Sequence, residues 1–331
     1  MKKAIYVMNR EPFDLVYPTF IREEIAQLVD IPSPQLTASE LEQDPSILNE
    51  VEILLTGWGG PKIDQHLLDY APNLKAVLYA AGSIKQLATE EAWNKGIIFT
   101  TAVNANGQPV AEFTLSQILF CLKNGWQFVR GIRNQRQFPQ KPFPICGAFR
   151  SIVGLISLST VGRQVAQLLS SFDVEVIAYD PFVSKEEAEK LGVKLTTLEE
   201  IFQVSDVVSL HAPLLPETIG MITGEHFEQM KQGASFLNTA RGAIVKEVEM
   251  IEVLQRRTDI TAVLDVTDPE PPVKESPLYH MENVVLTPHL AGSEGIECGR
   301  MGEYMLQELG RYIKGENLKW RITKAQFERM A

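Results

Sequence analysis

Short apolar runs, separated by polar or amphipathic stretches, recur along the chain. In the amino-terminal part they are Ala4 to Met8, Glu52 to Leu55, Ala76 to Tyr79 and Ile97 to Phe99, each reading as a strand buried on both faces. Between the last two, Thr89-Glu90-Glu91-Ala92-Trp93 combines a capping threonine with first-turn acids and is stopped by Gly96, so a helix is predicted there. This alternation predicts an open α/β sheet. After Gln108-Pro109, the residues Ala111, Leu115, Ile118, Leu119 and Leu122 share one helical stripe, with Pro109 suited to a first turn. A long helix therefore leaves the first domain. Residues 130–147 carry several prolines and little periodicity and read as an irregular arm, placed to contact a second subunit.

A second α/β series starts at Ser151, with strands near Ile152 to Ile156, Glu175 to Ala178, Val207 to Leu210, Ser235 to Leu237, Ala262 to Leu264 and Val284 to Leu286. A last helix, roughly Glu294 to Ile313, follows and is predicted to cross back onto the first domain, which makes that domain discontinuous.

Composition narrows what such a molecule does. A chain of 331 residues exceeds the size at which one core keeps growing, so two domains are expected. The formal net charge of -11 disfavours nucleic acid and anionic membrane surfaces, which require clustered Lys and Arg. Cys121, Cys146 and Cys298 lack paired spacing, which suits reduced thiols in a cytoplasm better than zinc or disulfides. The apolar run after Lys3 is too short for a signal peptide, and no later run would span a bilayer. His66, His226 and His280 have no metal-ligand spacing, and no metal is expected.

The strongest local signal is Ile152-Val153-Gly154-Leu155-Ile156-Ser157-Leu158-Ser159-Thr160-Val161-Gly162, an apolar strand passing through a small-residue turn into a helix with the buried stripe Val161, Val165, Leu168, Leu169 and Phe172. Asp180, eighteen residues past Gly162 at the end of the next strand, has nearly the spacing at which a carboxylate meets the adenosine ribose of NAD and repels the extra phosphate of NADP. The dinucleotide fingerprint wants three glycines in this turn, and only Gly162 is kept. The first serves the tight turn, the second the approach of backbone to pyrophosphate, the third helix–strand packing. Two readings stay open. The serine hydroxyls bond phosphate beside the helix dipole, leaving binding weakened but present, or the added Cβ atoms push the pyrophosphate away.

Further motifs carry a resemblance. Asn238-Thr239-Ala240-Arg241-Gly242-Ala243-Ile244-Val245-Lys246-Glu247, Leu264-Asp265-Val266 to Pro269-Glu270-Pro271, and Thr287-Pro288-His289-Leu290-Ala291-Gly292 resemble D-isomer-specific 2-hydroxyacid dehydrogenases. Ala81-Gly82-Ser83, Val103-Asn104-Ala105 and His211-Ala212-Pro213-Leu214 extend the likeness over nearly the whole chain. The family implies two doubly wound parallel-sheet domains: a flavodoxin-like substrate domain over 1–102 and 293–331, and a Rossmann dinucleotide-binding domain over 103–292. It also implies NAD as cofactor, a small 2-hydroxy or 2-keto acid as substrate, and a homodimer.

By the same resemblance Arg241, Glu270 and His289 hold the catalytic positions. The chemistry wants these types: an imidazole to move the proton, a carboxylate to keep it protonated for keto-acid reduction, and a planar guanidinium fork for the substrate's carboxylate and carbonyl. Ser159, Thr160, Val161, Asp180, His211, Ala212, Pro213, Thr239, Ala240, Asp265 and His289 are assigned to the cofactor, and Ala81, Gly82, Ser83 and Arg241 to the substrate. Each has a structural alternative: Asp265 as a strand-end turn carboxylate, His211 as part of a bend, Trp58 as packing rather than a pocket wall, Lys85 as a solvated cation rather than an anion reader. The rival to an enzyme is a non-catalytic, dinucleotide-sensing or partner-binding protein on the same fold.

Overall fold

The computed structural model describes residues 1–141, 145–328 and 330. The chain divides into two compact units, residues 1–107 with 293–331, and residues 108–292.

In the first unit β1 (Ala4–Val7), β2 (Ile53–Thr56), β3 (Ala76–Tyr79) and β4 (Ile98–Thr101) pair in parallel in that order. On the outer side of β1, parallel bridges from Lys3 to Asp30 and from Val7 to Leu36 stand where a further strand would run. Pro32 and Pro34 have no N–H to donate, so the pairing stays a pair of bridges. Apolar cores cover both faces of the sheet, one built on Ile21, Ile25, Met301 and Met305 and the other on Leu41, Leu68, Ala92 and Phe99. The helix Gly299–Lys314 supplies part of the first core after a short 3₁₀ turn at Gly295–Cys298.

The second unit holds seven parallel strands: β5 (Ile152–Ile156), β6 (Glu175–Tyr179), β7 (Lys194–Leu195), β8 (Val207–Leu210), β9 (Ser235–Asn238), β10 (Thr261–Leu264) and β11 (Val284–Leu286). Their order is β11-β10-β9-β8-β5-β6-β7, so the winding reverses between β5 and β8. That reversal opens the crevice at strand carboxyl ends where α/β sheets take their ligands. Alternate residues of each strand enter opposite cores, as Phe236 and Leu237 of β9 do.

Three expectations need correcting. Pro109 lies inside the helix Val103–Leu122, which starts at Val103, where the Thr101 hydroxyl accepts the Val103 amide. The first part of the expected irregular arm is the helix Gly125–Gln135, bounded by Asn124 and Arg136, both in the left-handed region. Neither of those two capping residues is a glycine or proline; residues 142–144 of the arm lie outside the described residues. The first unit's sheet is not wholly parallel either, because β12 (Arg321–Ile322) adds to β4 antiparallel.

Candidate active site and cofactor turn

Three strand carboxyl ends of the second unit carry the candidate catalytic side chains. Arg241 follows β9, Glu270 lies in the segment after β10, and His289 follows β11. His289 Nδ1 is 2.6 Å from Glu270 Oε1, and both side chains remain open to solvent. Glu270 also lies near enough to Arg241 for its charge to matter. Desolvation lowers the Arg241 guanidinium, and the Glu270 carboxylate opposes that shift. Solvent still reaches Arg241, whose Nη1 donates to the Ala240 carbonyl at 2.6 Å. A cavity of about 390 Å³ beside the pair is lined in part by Thr267, Glu270, Tyr279, Thr287 and His289.

His289 sits at φ 54°, a conformation a non-glycine residue keeps only when its surroundings impose it. Asp265 does most of the imposing. Its carbonyl accepts the His289 amide at 2.9 Å, while its carboxylate accepts the Thr287 hydroxyl at 2.6 Å and the Leu290 and Ala291 amides at 3.0 and 2.9 Å. Only 2% exposed, Asp265 positions the histidine loop, the part its alternative as a strand-end turn carboxylate describes. Arg241 and Glu270 are coupled through backbone. A Cβ on Gly242 would stand 2.1 Å from both the carbonyl carbon and oxygen of Thr267, so that segment lies directly on the turn after Arg241. Glu247 fixes it further by accepting the Asp268 amide at 3.0 Å. Thr287, Gly242 and Glu247 carried no sequence signal for these roles beyond membership of the motifs.

The turn after β5 lies at the winding reversal. A Cβ on Gly162 would be 2.1 Å from the Ser157 carbonyl, so the packing glycine is obligatory. Ser157, where the tight-turn glycine belongs, adopts φ 77°. It thus keeps the glycine conformation despite its Cβ, at a cost of about 1–3 kcal/mol. In this structure both hydroxyl protons are directed to protein acceptors. Ser157 Oγ donates to Asp180 Oδ2 at 3.0 Å, and Ser159 Oγ donates to the His211 carbonyl at 2.7 Å while capping the helix Thr160–Leu169 at Gly162 N. Of the two readings left open for this turn, these bonds give no support to the one in which the serine hydroxyls hold the pyrophosphate. What the turn does retain is the helix start itself. The Thr160 and Val161 amides make no hydrogen bond among the described residues, and with Asp180 at the next strand end they fit the diphosphate and ribose of a dinucleotide.

His211 follows β8 with its ring buried, Nε2 2.9 Å from Ser209 Oγ and Nδ1 unpartnered among the described residues. Its carbonyl, not its imidazole, meets the cofactor turn. Ala212 is buried and Pro213 half-buried behind it; Thr239 pairs with the Thr114 hydroxyl at 3.1 Å, and the Ala240 amide is held by Asn238 at 3.0 Å. Burial pushes the His211 imidazole down to about 3, from its ordinary 6.5. The folded protein holds it neutral where the unfolded chain would take up a proton, so stability falls as pH drops from about 6.5 toward about 3. Going from pH 7 to pH 5 is expected to remove about 2 kcal/mol through this residue. His211→Gln should flatten that part of the acid slope in denaturant titrations; an unchanged slope would contradict the assignment.

Within the first unit, Ala81, Gly82 and Ser83 follow β3. The Ala81 carbonyl accepts the Ala102 amide at 3.0 Å, and the Ser83 hydroxyl accepts the Lys85 amide at 3.3 Å. Lys85 is not an isolated cation: its Nζ lies over the Phe327 ring at 4.7 Å and donates to the Glu328 carbonyl at 3.3 Å. Trp58 packs against the core. Among the described residues no cluster of His, Cys, Asp and Glu suits a metal ion, and no helix is long and apolar enough to cross a membrane.

The family model described as "D-isomer specific 2-hydroxyacid dehydrogenase, NAD binding domain" matches residues 115–291, more than half of the chain. The chain belongs to this family of D-isomer-specific 2-hydroxyacid dehydrogenases. A glyoxylate reductase of Thermofilum pendens is 33% identical over 260 residues, 77% of this chain and 76% of that protein. D-3-phosphoglycerate dehydrogenase of Archaeoglobus fulgidus is 34% identical over 254 residues, 77% of this chain but 48% of that protein. The chain thus spans about half the length of the phosphoglycerate dehydrogenases it matches. In fold it is similar to a D-isomer-specific 2-hydroxyacid dehydrogenase from Lactobacillus delbrueckii ssp. bulgaricus in its NAD complex, with 23% identity, a TM-score of 0.77, and coverage of 97% and 100% of the two chains. The NAD-binding domain of the family is the second unit, with its Rossmann sheet.

Proposed function

We propose that this chain is an NAD(H)-dependent oxidoreductase that interconverts a small 2-hydroxy acid and its 2-keto acid. The observation that carries the reading is the His289–Glu270 contact of 2.6 Å beside Arg241. A bound nicotinamide supplies or accepts the hydride; Thr160, Val161 and Asp180 would hold the dinucleotide. His289 provides the proton. Its Nδ1 is engaged by Glu270, and Nε2 has no protein partner among the described residues, leaving that nitrogen to give a proton to the carbonyl oxygen or take one from the alcohol. Arg241 offers two-pronged donation to the substrate carboxylate and polarises its carbonyl. The substrate domain's part in this reading is the Ala81-Gly82-Ser83 loop.

A second reading, dinucleotide or partner binding without catalysis, is favoured by one observation: Ser157 bears a side chain at φ 77° and commits its hydroxyl to Asp180. One experiment separates the two. NADH titration by fluorescence, followed by a screen of 2-keto acids for NADH consumption, is expected to show saturable binding and turnover. Saturable binding with no turnover on any short-chain keto acid selects the second reading in its dinucleotide form; no binding at millimolar NADH excludes the enzyme and leaves only partner binding. A homodimer in the cytoplasm belongs to the same proposal, supported by family resemblance, free thiols and the exposed apolar residues Phe138 and Phe149.

A further inference from the structure

With glycine at position 157, Asp180 would hold only two backbone amides, one on each carboxylate oxygen, and each oxygen would keep an acceptor position for a ribose. Here only one of them does. Oδ1 accepts the Phe182 amide at 2.8 Å, and Oδ2 accepts both the Leu158 amide at 2.8 Å and the Ser157 hydroxyl at 3.0 Å. A carboxylate has about four acceptor positions, so roughly one remains, on Oδ1. A ribose diol brings two O–H donors. One is served at once, whereas the other competes with Ser157 for Oδ2.

Two amides and their carboxylate are fixed by backbone, but the Ser157 hydroxyl rotates about one bond. It is the single donor of the three that gives way without moving the chain. We propose that Ser157 is a specificity-determining residue, whose hydroxyl weakens the preference for NADH over NADPH by occupying Asp180 and by turning to donate to a 2′-phosphate when one is present. This rests on the dinucleotide reading above. Both effects act in one direction. Against NADH, the occupied Oδ2 removes part of the diol's charge-assisted hydrogen bonding. Toward NADPH, the same proton offsets some of the repulsion between the Asp180 carboxylate and the phosphate.

The test is a matched set of Kd measurements for NADH and NADPH, by calorimetry on the whole protein, for the wild type, Ser157→Ala and Ser157→Gly. Alanine deletes the hydroxyl but keeps the Cβ and its positive φ, while glycine removes both. Wild type is expected to bind the two cofactors within about tenfold, and both variants to raise the ratio of NADPH Kd to NADH Kd by about tenfold, the worth of one hydrogen bond to a charged group. Thermal melts establish that each variant is folded. A ratio moved by glycine but not by alanine would assign the effect to the Cβ and overturn the proposal. NADH binding with an unchanged ratio in both variants would overturn it while leaving the proposed function intact. Absence of binding to either cofactor in all three proteins would instead bring down both.

Discussion

Replacing His289 by Gln is expected to lower kcat for keto-acid reduction by about 10²–10⁴-fold with little change in NADH affinity. Glutamine preserves volume and hydrogen bonding but cannot carry the proton to the substrate oxygen. The loop should survive the change. It is Asp265, through four hydrogen bonds from Thr287, His289, Leu290 and Ala291, that sets its backbone, and none of those bonds uses the imidazole. Steady-state kinetics with NADH held saturating reads the effect. A His289→Gln enzyme within fivefold of wild type would remove the histidine from the proton path.

Gly242→Ala, a change of one methyl, is expected to be nearly as damaging to activity and worse for the fold. The new carbon would meet the Thr267 carbonyl at 2.1 Å and the Asp268 amide nitrogen at 2.7 Å, both backbone atoms with no rotamer to escape into. Relief requires the Thr267–Asp268 segment to move, and Glu270 moves with it, away from the 2.6 Å contact with His289. Displacements near 1 Å in catalytic geometry cost about 100-fold, and overpacking costs about 1–3 kcal/mol of stability. Chemical denaturation together with kcat/KM checks both parts. Full activity at wild-type stability would mean that the segment yields freely, so that Glu270 does not depend on it.

The fold is unevenly legible in the sequence, for physical reasons. Strands buried on both faces read as continuous apolar runs, so ten strand positions in the two sheets were visible from residues such as Ala4 to Met8 and Ala262 to Leu264. Segments joined to a sheet by only a few backbone contacts left no such mark: the bridges at Asp30 and Leu36, split by Pro32 and Pro34, and the two-residue β12. Pro109 misled because proline usually opens helices, yet here the Thr101 cap had already done so two turns earlier. At the site, motif order brought Arg241, Glu270 and His289 into view. Which way a hydroxyl or carboxylate turns is decided by neighbours distant in sequence. Asp265 turning to the histidine loop, Ser159 to the His211 carbonyl and Ser157 to Asp180 could only be seen once strand ends were placed side by side.

The pairing of imidazole and carboxylate is the centre of the functional account, and a double-mutant cycle on kcat tests it most directly. His289→Gln, Glu270→Gln and the double variant would be compared under saturating NADH and keto acid. Because Glu270 acts through His289, the double variant is predicted to be no slower than His289→Gln alone, within a factor of about three. Losses that multiply in the double variant would show two residues working independently and would contradict the account.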